Sequence, residues 1–405
     1  MPYYRRVGEL LPKRHTQFRQ PDGSLYAEEL MGQEGFSSDS SLLYHRYLPT
    51  AIVAAEAYEP MTWSRVANHP LKPRHFQTHK LDGASTDPIL GRQHLMANDD
   101  CRISYAVADT ASPLYRNAIG DECVYVEAGR ARIESTFGTL EVDAGDYVII
   151  PTSTIHRIVP LDGQLRTLVV EATGHIGPPK RYLSVRGQFL EASPYCERDV
   201  RGPAEPLQVD GTDVEVYVQH RSRTAGRATA WTKFTYANHP FDVVGWDGCL
   251  YPWAFSIHDF EPITGRVHQP PPVHQTFEGP NFVICSFVPR KVDYHPLSIP
   301  VPYNHHNVDS DEMLFYTGGN YEARRGSGIE QGSISLHPSG FTHGPQPGAA
   351  ERAIGVEYFD ELAVMVDTFR PLDLCEPALE CEDTGYAWTW ARRSAPAGGV
   401  DPATG

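Results

Sequence analysis

The sequence predicts an all-β protein of two β-barrels of one kind with an irregular N-terminal extension, and three observations carry that prediction. Strand-like runs fill two stretches of the chain, turn residues are abundant, and one spaced pattern occurs twice. Glycine and proline number 34 each among 405 residues, scattered rather than periodic, which suits many turns between short strands. Hydrophobic residues at 40% and aromatic residues at 11% can fill real cores, in a chain long enough for two or three domains of roughly 100–200 residues.

Taken in order, the region to about Leu95 reads as irregular, broken by turn-rich pieces such as QPDGSLY and FSSDSS. From Ile103 the texture changes. CVYVEAGR, ARIES, GTLEV and DYVIIP are short β-rich runs separated by turn signals such as DAGD, the pattern of an antiparallel sheet. After Asn281 the texture returns in NFVICSFVP, MLFYTGG, YEAR, SISLHP and ELAVMVDTF. In the last of these Leu362, Val364 and Val366 alternate with Ala363, Met365 and Asp367, which gives one strand two distinct faces.

The repeat is specific. Glu122 is followed seven residues later by Gly129, then by Gly145, Pro151 and His156 in GDYVIIPTSTIH. Glu312 is followed seven residues later by Gly319, then by Gly332, Pro338, Gly340 and His343 in GSISLHPSGFTH. The layout resembles the paired motifs of the cupin superfamily, G-x5-H-x-H-x3,4-E-x6-G and G-x5-P-x-G-x2-H, and the second half fits the second motif at every fixed position. The resemblance implies a bicupin of two jelly-roll barrels. A degenerate barrel over about 103–175 would lie in an N-terminal domain, residues 1–260, and the catalytic barrel in residues 261–405. A barrel points alternate residues inward, so ligands on neighbouring strands converge on one pocket.

Only the second half carries a full ligand set. Upstream of Glu122 stands NAIGD, without histidine, so Glu122 and His156 read as a structural relic. Upstream of Glu312 stands NHHNVDSD. Two imidazoles and one carboxylate make the facial triad of non-heme Fe(II) oxygenases, with positions left for substrate and dioxygen. His343 is the second imidazole and Glu312 the carboxylate. The first is His305 if four residues intervene before Glu312, which pairs it with Asn307, and His306 if three intervene, which puts Val308 in a polar slot. Strand alternation favours His305. His306 would then face away or brace a ligand, and only Glu312, not Asp311, keeps the seven-residue spacing to its glycine. Zinc accepts the same donors, but the open site and aromatic surroundings suit iron better. His337 reads as a pocket-rim or structural histidine.

Composition removes other function classes. With 35 Lys and Arg against 51 Asp and Glu, the net charge is −16, which disfavours nucleic acid and anionic lipid as partners. No apolar run approaches the ~18 residues of a membrane helix, and MPYYRRVGELLPKRH lacks a signal-peptide core, so a cytoplasmic protein is expected. Seven dispersed cysteines without CxxC spacing read as buried thiols, neither disulfides nor zinc ligands. Neither GxGxxG after a strand nor GxxxxGK[ST] occurs, so no organic cofactor is expected.

Between Phe241 and Gly348, three stretches are similar to the homogentisate 1,2-dioxygenase family: FDVVGWDGCLYPWAFSIHDFEP, VPYNHHNVDSDEMLFYTGGNYEAR and SLHPSGFTHGPQPG. Here four residues separate Asn307 from Glu312 where the family has three. The resemblance implies Fe(II)-dependent opening of the homogentisate ring by O2 to maleylacetoacetate, in tyrosine and phenylalanine breakdown. Carried over by residue, His305, Glu312 and His343 are its iron ligands, and Tyr321 and His343 are substrate contacts. A trimer or hexamer is implied as well. The family's catalytic histidine lies in the stretch corresponding to RVHQPPPVHQTFEGPNF, which offers His274, favoured by its distance to Phe282, and His268. A phenol of pKa near 10 needs such an acceptor at neutral pH. A sister bicupin acting on gentisate or hydroquinone, and a non-catalytic binding or regulatory bicupin, remain as rivals.

Overall fold

In the computed structural model of the protein, residues 3–60, 63–81, 87–222, 229–267 and 269–391 are described. Strands dominate them, and α-helix is confined to Ala349–Ala353 and Glu376–Glu380. A nine-stranded and a seven-stranded sheet face each other across the first barrel, and a six-stranded sheet forms the main wall of the second. The two-residue period of each strand decides which core a side chain enters. On Glu122–Ala128, Val124 and Val126 point into the first barrel, where they meet Ile133 and Ile158 of the facing sheet. Cys123 and Tyr125 point the other way, into a second core made with Phe277, Ile284, Phe315 and Val366 of the six-stranded sheet. The nine-stranded sheet is thus buried on both faces, and the two barrels are packed back to back. Two hydroxyl contacts span that seam, Tyr125 to Thr317 at 3.1 Å and Tyr147 to Ser286 at 2.8 Å.

The alternation in ELAVMVDTF is realised on Glu361–Thr368. Val364 and Val366 enter the seam between the barrels, whereas Ala363, Met365 and Asp367 share the pocket side with Leu314 and Glu312. The seven-residue spacing from glutamate to glycine also has a physical reason. Each strand ends in a left-handed turn, Gly129 at φ +86° and Gly319 at φ +79°, and a Cβ would stand 2.6 Å from the Gln164 carbonyl or 2.3 Å from that of Asp360.

Two expectations need correction. YEAR is no strand: after Gly319 the chain turns into a short 3-10 helix, Glu322–Arg324, with Tyr321 at its N-terminal edge. Nor is the extension irregular. Ser40–His45 pairs with Val243–Gly248, Ile52–Tyr58 with Thr229–Asn238, and Arg74–Gln77 with Ser333–His337. These partners lie far along the chain, so no hairpin spacing announces them. All seven cysteines are free; five are buried, while Cys196 and Cys249 are half-buried. None of the helices is long and apolar enough to cross a membrane among the described residues.

The barrels also exchange strands. Arg74–Gln77 closes the edge of the second barrel's sheet, and Asp373–Cys375 pairs with Gln93–Ala97 in the first barrel's sheet. Arg74 locks the exchange through a two-contact salt bridge to Glu382, at 2.9 and 2.8 Å. Fragments 1–260 and 261–405 expressed apart are therefore expected to lack cooperative thermal unfolding, and to regain it when co-expressed. A cooperative transition near the intact protein's Tm in either fragment alone would disprove that interdependence.

Candidate metal centre

Three strands and two loops build the cluster. Glu312 opens the strand Asp311–Gly319 and points to the pocket side, between its cross-strand partners His337 and Asp367. His305 and His343 come from loops joined by a single two-hydrogen-bond bridge, His305 N–H to His343 C=O at 2.8 Å and the reverse at 2.9 Å. That bridge sets the imidazoles side by side, ring centroids 4.3 Å apart. The Nε2 atoms of His305 and His343 stand 3.5 and 3.3 Å from Glu312 Oε2, and one ligand atom from each residue falls within 4.8 Å of the others.

The donor chemistry fits a metal ion. Each histidine has Nδ1 against a backbone carbonyl two residues earlier, His305 on Tyr303 at 3.1 Å and His343 on Phe341 at 3.4 Å. A proton placed on Nδ1 leaves the Nε2 lone pair toward Glu312. Donors about 2.1 Å from an ion and at right angles lie about 3 Å apart, close to the separations from Glu312 Oε2. When those Nε2 atoms carry protons instead, they donate to the carboxylate, and although burial opposes ionisation, hydrogen bonds from His305, His337 and His343 then hold its pKa well below the usual range.

The neighbouring residues sort the sequence candidates. His306 is exposed and outside the cluster. Asp311 is consumed structurally, accepting the backbone N–H of Ser339 at 2.8 Å and of Leu372 at 2.9 Å. His337 lies deep rather than at a rim. Burial, then Arg324, lowers its pKa to about 3, so it is neutral; Nδ1–H donates to Glu312 Oε1 at 2.9 Å while Tyr386 O–H donates to Nε2 at 3.0 Å. Tyr321 is buried, edge-on to Tyr316 at 4.8 Å, and its hydroxyl makes no hydrogen bond. His274 lies outside the cluster, stacked on Phe287 at 4.4 Å, and Phe287 in turn packs on the group containing Tyr321. Burial, then Arg290, lowers the pKa of His274 to about 3, and its Nδ1 is buried without a partner. His268 falls outside the described residues.

Sequence reasoning missed Arg324, Tyr386 and Asp367. Arg324 is buried and ties the site together, donating to Tyr316 Oη at 3.0 Å and to the Gly344 carbonyl at 2.6 Å. Tyr386 comes from the C-terminal segment, beyond any motif. Asp367 was visible only as the odd acid in an apolar alternation, and its Oδ1 is buried without a partner. In the first barrel, by contrast, Glu122 is fully engaged by Arg92, Tyr115 and Asn117, each at 2.9 Å, so a guanidinium neutralises it there.

Fold and cluster together define a bicupin whose second barrel holds a candidate metal site. The chain belongs to the homogentisate 1,2-dioxygenase family, a family of metal-dependent dioxygenases: residues 5–257 match its N-terminal and residues 261–394 its C-terminal domain. It is similar to a protein of Saccharolobus solfataricus named as a candidate dioxygenase, with 38% identity over 96% of this chain and 99% of the relative. It is also similar to the homogentisate 1,2-dioxygenase of Emericella nidulans, 24% identical over 85% of this chain and 80% of that protein. The homogentisate 1,2-dioxygenase of Pseudomonas entomophila is 26% identical over 91% of this chain and 88% of its own. Among solved structures, the cupin 2 conserved barrel domain protein from Leptotrichia buccalis overlaps 76% of this chain and 100% of its own, at 10% identity and a TM-score of 0.32.

Proposed function

We propose that the protein is an Fe(II)-dependent dioxygenase that opens the ring of homogentisate with O2 to give maleylacetoacetate, acting in the cytoplasm as a homo-oligomer, a trimer or hexamer. The observation that supports this reading is the donor set of the second barrel, two imidazole Nε2 atoms at 3.5 and 3.3 Å from one carboxylate oxygen. Ferrous iron held there by His305, Glu312 and His343 would supply adjacent positions for a phenolic oxygen and O2 and a path for electrons between them. The rest is the chain's own work. His337 occupies Glu312 Oε1, which leaves Oε2 as the oxygen that would hold an ion. The unsatisfied Tyr321 hydroxyl is a ready partner for a substrate oxygen. Neutral His274, its Nδ1 unsatisfied, accepts the phenolic proton.

A second reading, a sister enzyme for an uncharged para-diol such as hydroquinone, is favoured by Asp367, whereas gentisate carries a carboxylate as homogentisate does. Burial, and then the Glu312 carboxylate, push the Asp367 pKa well up, and a carboxylated substrate lying beside it would add a further acid to that side. Oxygen uptake by the iron-loaded protein, with ascorbate present, separates the two. One O2 consumed per homogentisate is expected, far faster turnover of hydroquinone would move the protein to the second reading, and far faster turnover of gentisate, or no uptake with any of the three, would end both.

The brace on Glu312 has its own test. His337→Ala is expected to weaken iron affinity roughly 10–100-fold, the usual cost of losing such a partner, and His337→Gln to restore most of it. Metal competition against a chromogenic chelator measures this; unchanged affinity in His337→Ala would remove the brace from the proposal.

A further inference from the structure

Three side chains of the 3-10 helix Tyr386–Ala391, near the C-terminus, reach the residues around the metal centre. Tyr386 O–H donates to His337 Nε2 at 3.0 Å, and His337 lies flat against His343, ring centroids 4.3 Å apart and planes 14° from parallel. Thr389 Oγ1 accepts from Gln346 Nε2 at 2.9 Å. Trp390 Nε1–H is shared between the carbonyls of Gly344 and Pro345, each at 3.2 Å. Trp390 also stands edge-on to Tyr386 at 5.1 Å, which packs the two donors as one block.

These contacts hold the segment on which both histidines depend. The His343 ring is anchored through Nδ1 on the Phe341 carbonyl at 3.4 Å, the outer limit of a hydrogen bond, so its direction follows the backbone that carries it. The next residue, Gly344, has its carbonyl fixed by two donors, Arg324 Nη1 at 2.6 Å and Trp390 Nε1. A Cβ on Gly344 would stand 2.2 Å from Asn304 Oδ1, and Asn304 immediately precedes His305. A shift of Gly344 therefore carries both imidazoles, through that close approach and through the bridge between His305 and His343.

We propose that this C-terminal helix is a clamp on the metal centre, with Tyr386 and Trp390 as positioning residues. Tyr386 sets Glu312 through His337, and Trp390 sets His343 through the Gly344 and Pro345 carbonyls. Both act through other residues rather than on the ion. Partners that fix the direction of a ligand are worth roughly 10–100-fold in metal affinity. The clamp rests on the reading that His305, Glu312 and His343 hold a metal, and is independent of which para-diol is opened.

The test uses the full chain. Trp390→Phe keeps a ring and removes the N–H, and Tyr386→Phe removes the hydroxyl. Each is expected to weaken iron affinity roughly 10-fold in competition with a chromogenic chelator, and the two together roughly 100-fold, since they act on different ligands. Trp388→Phe, which changes an exposed ring on the same helix, should keep wild-type affinity. With Co(II) in place of iron, the visible absorption bands should move in Trp390→Phe and Tyr386→Phe and stay fixed in Trp388→Phe, a readout of ligand geometry that lost stability alone would not give. Thermal melting of the metal-free chains checks that all three fold. Affinity within about twofold of wild type in Trp390→Phe or in Tyr386→Phe, or an unmoved Co(II) spectrum in either, would overturn the clamp and leave the metal site standing. A wild-type chain that takes up neither metal would end the metal site, and the clamp with it.

Discussion

Glu312→Ala protein is expected to emerge with iron falling from about one per chain to near zero and with ring cleavage below detection, while Glu122→Ala keeps its iron. The asymmetry follows from what each carboxylate touches. Glu312 faces two imidazole lone pairs, so removing it takes one of three donors and the only negative charge among them. Glu122 faces the Arg92 guanidinium, so its loss uncovers a buried cation and lowers stability instead, by roughly 3–5 kcal/mol on the usual scale for breaking a buried pair. Iron by atomic absorption, O2 uptake and thermal melting read the three effects separately. Full iron in Glu312→Ala, or equal iron loss in both variants, would refute the assignment of the metal to the second barrel.

His274→Ala, compared with His268→Ala at matched iron content, is expected to lose roughly 10²–10⁴-fold in kcat and keep its metal. With its pKa lowered to about 3, His274 is neutral throughout the physiological range. The deficit should therefore be the same across about pH 5–8, and the acid limb of the wild-type profile should survive in the mutant. Full activity in His274→Ala would take it out of the mechanism and make His268 the candidate base.

Most of the candidate site could be read from spacing because spacing is a local property. A strand that carries Glu312 near its start and must turn left-handed at Gly319 leaves its mark in the order of residues whatever surrounds it, and so does the run from Gly332 to His343. Strand alternation already favoured His305 over its neighbour His306. What the order of residues could not show is the hydrogen-bonded bridge that sets His305 beside His343, which lies in a different loop.

By itself, then, the sequence determined an all-β chain with a repeated barrel pattern, a strand with two faces, and a histidine–glutamate set confined to the second half. Only the tertiary structure decided that Asp311 is spent on two backbone amides, that His337 lies beneath the carboxylate, that Arg92 neutralises the equivalent glutamate in the other barrel, and that the extension supplies strands to both barrels. The reason is range. Alternation, turn and spacing act between residues a few positions apart, whereas each of these contacts joins segments whose separation along the chain carries no periodic signal, and whose energy appears only when burial removes water from both partners.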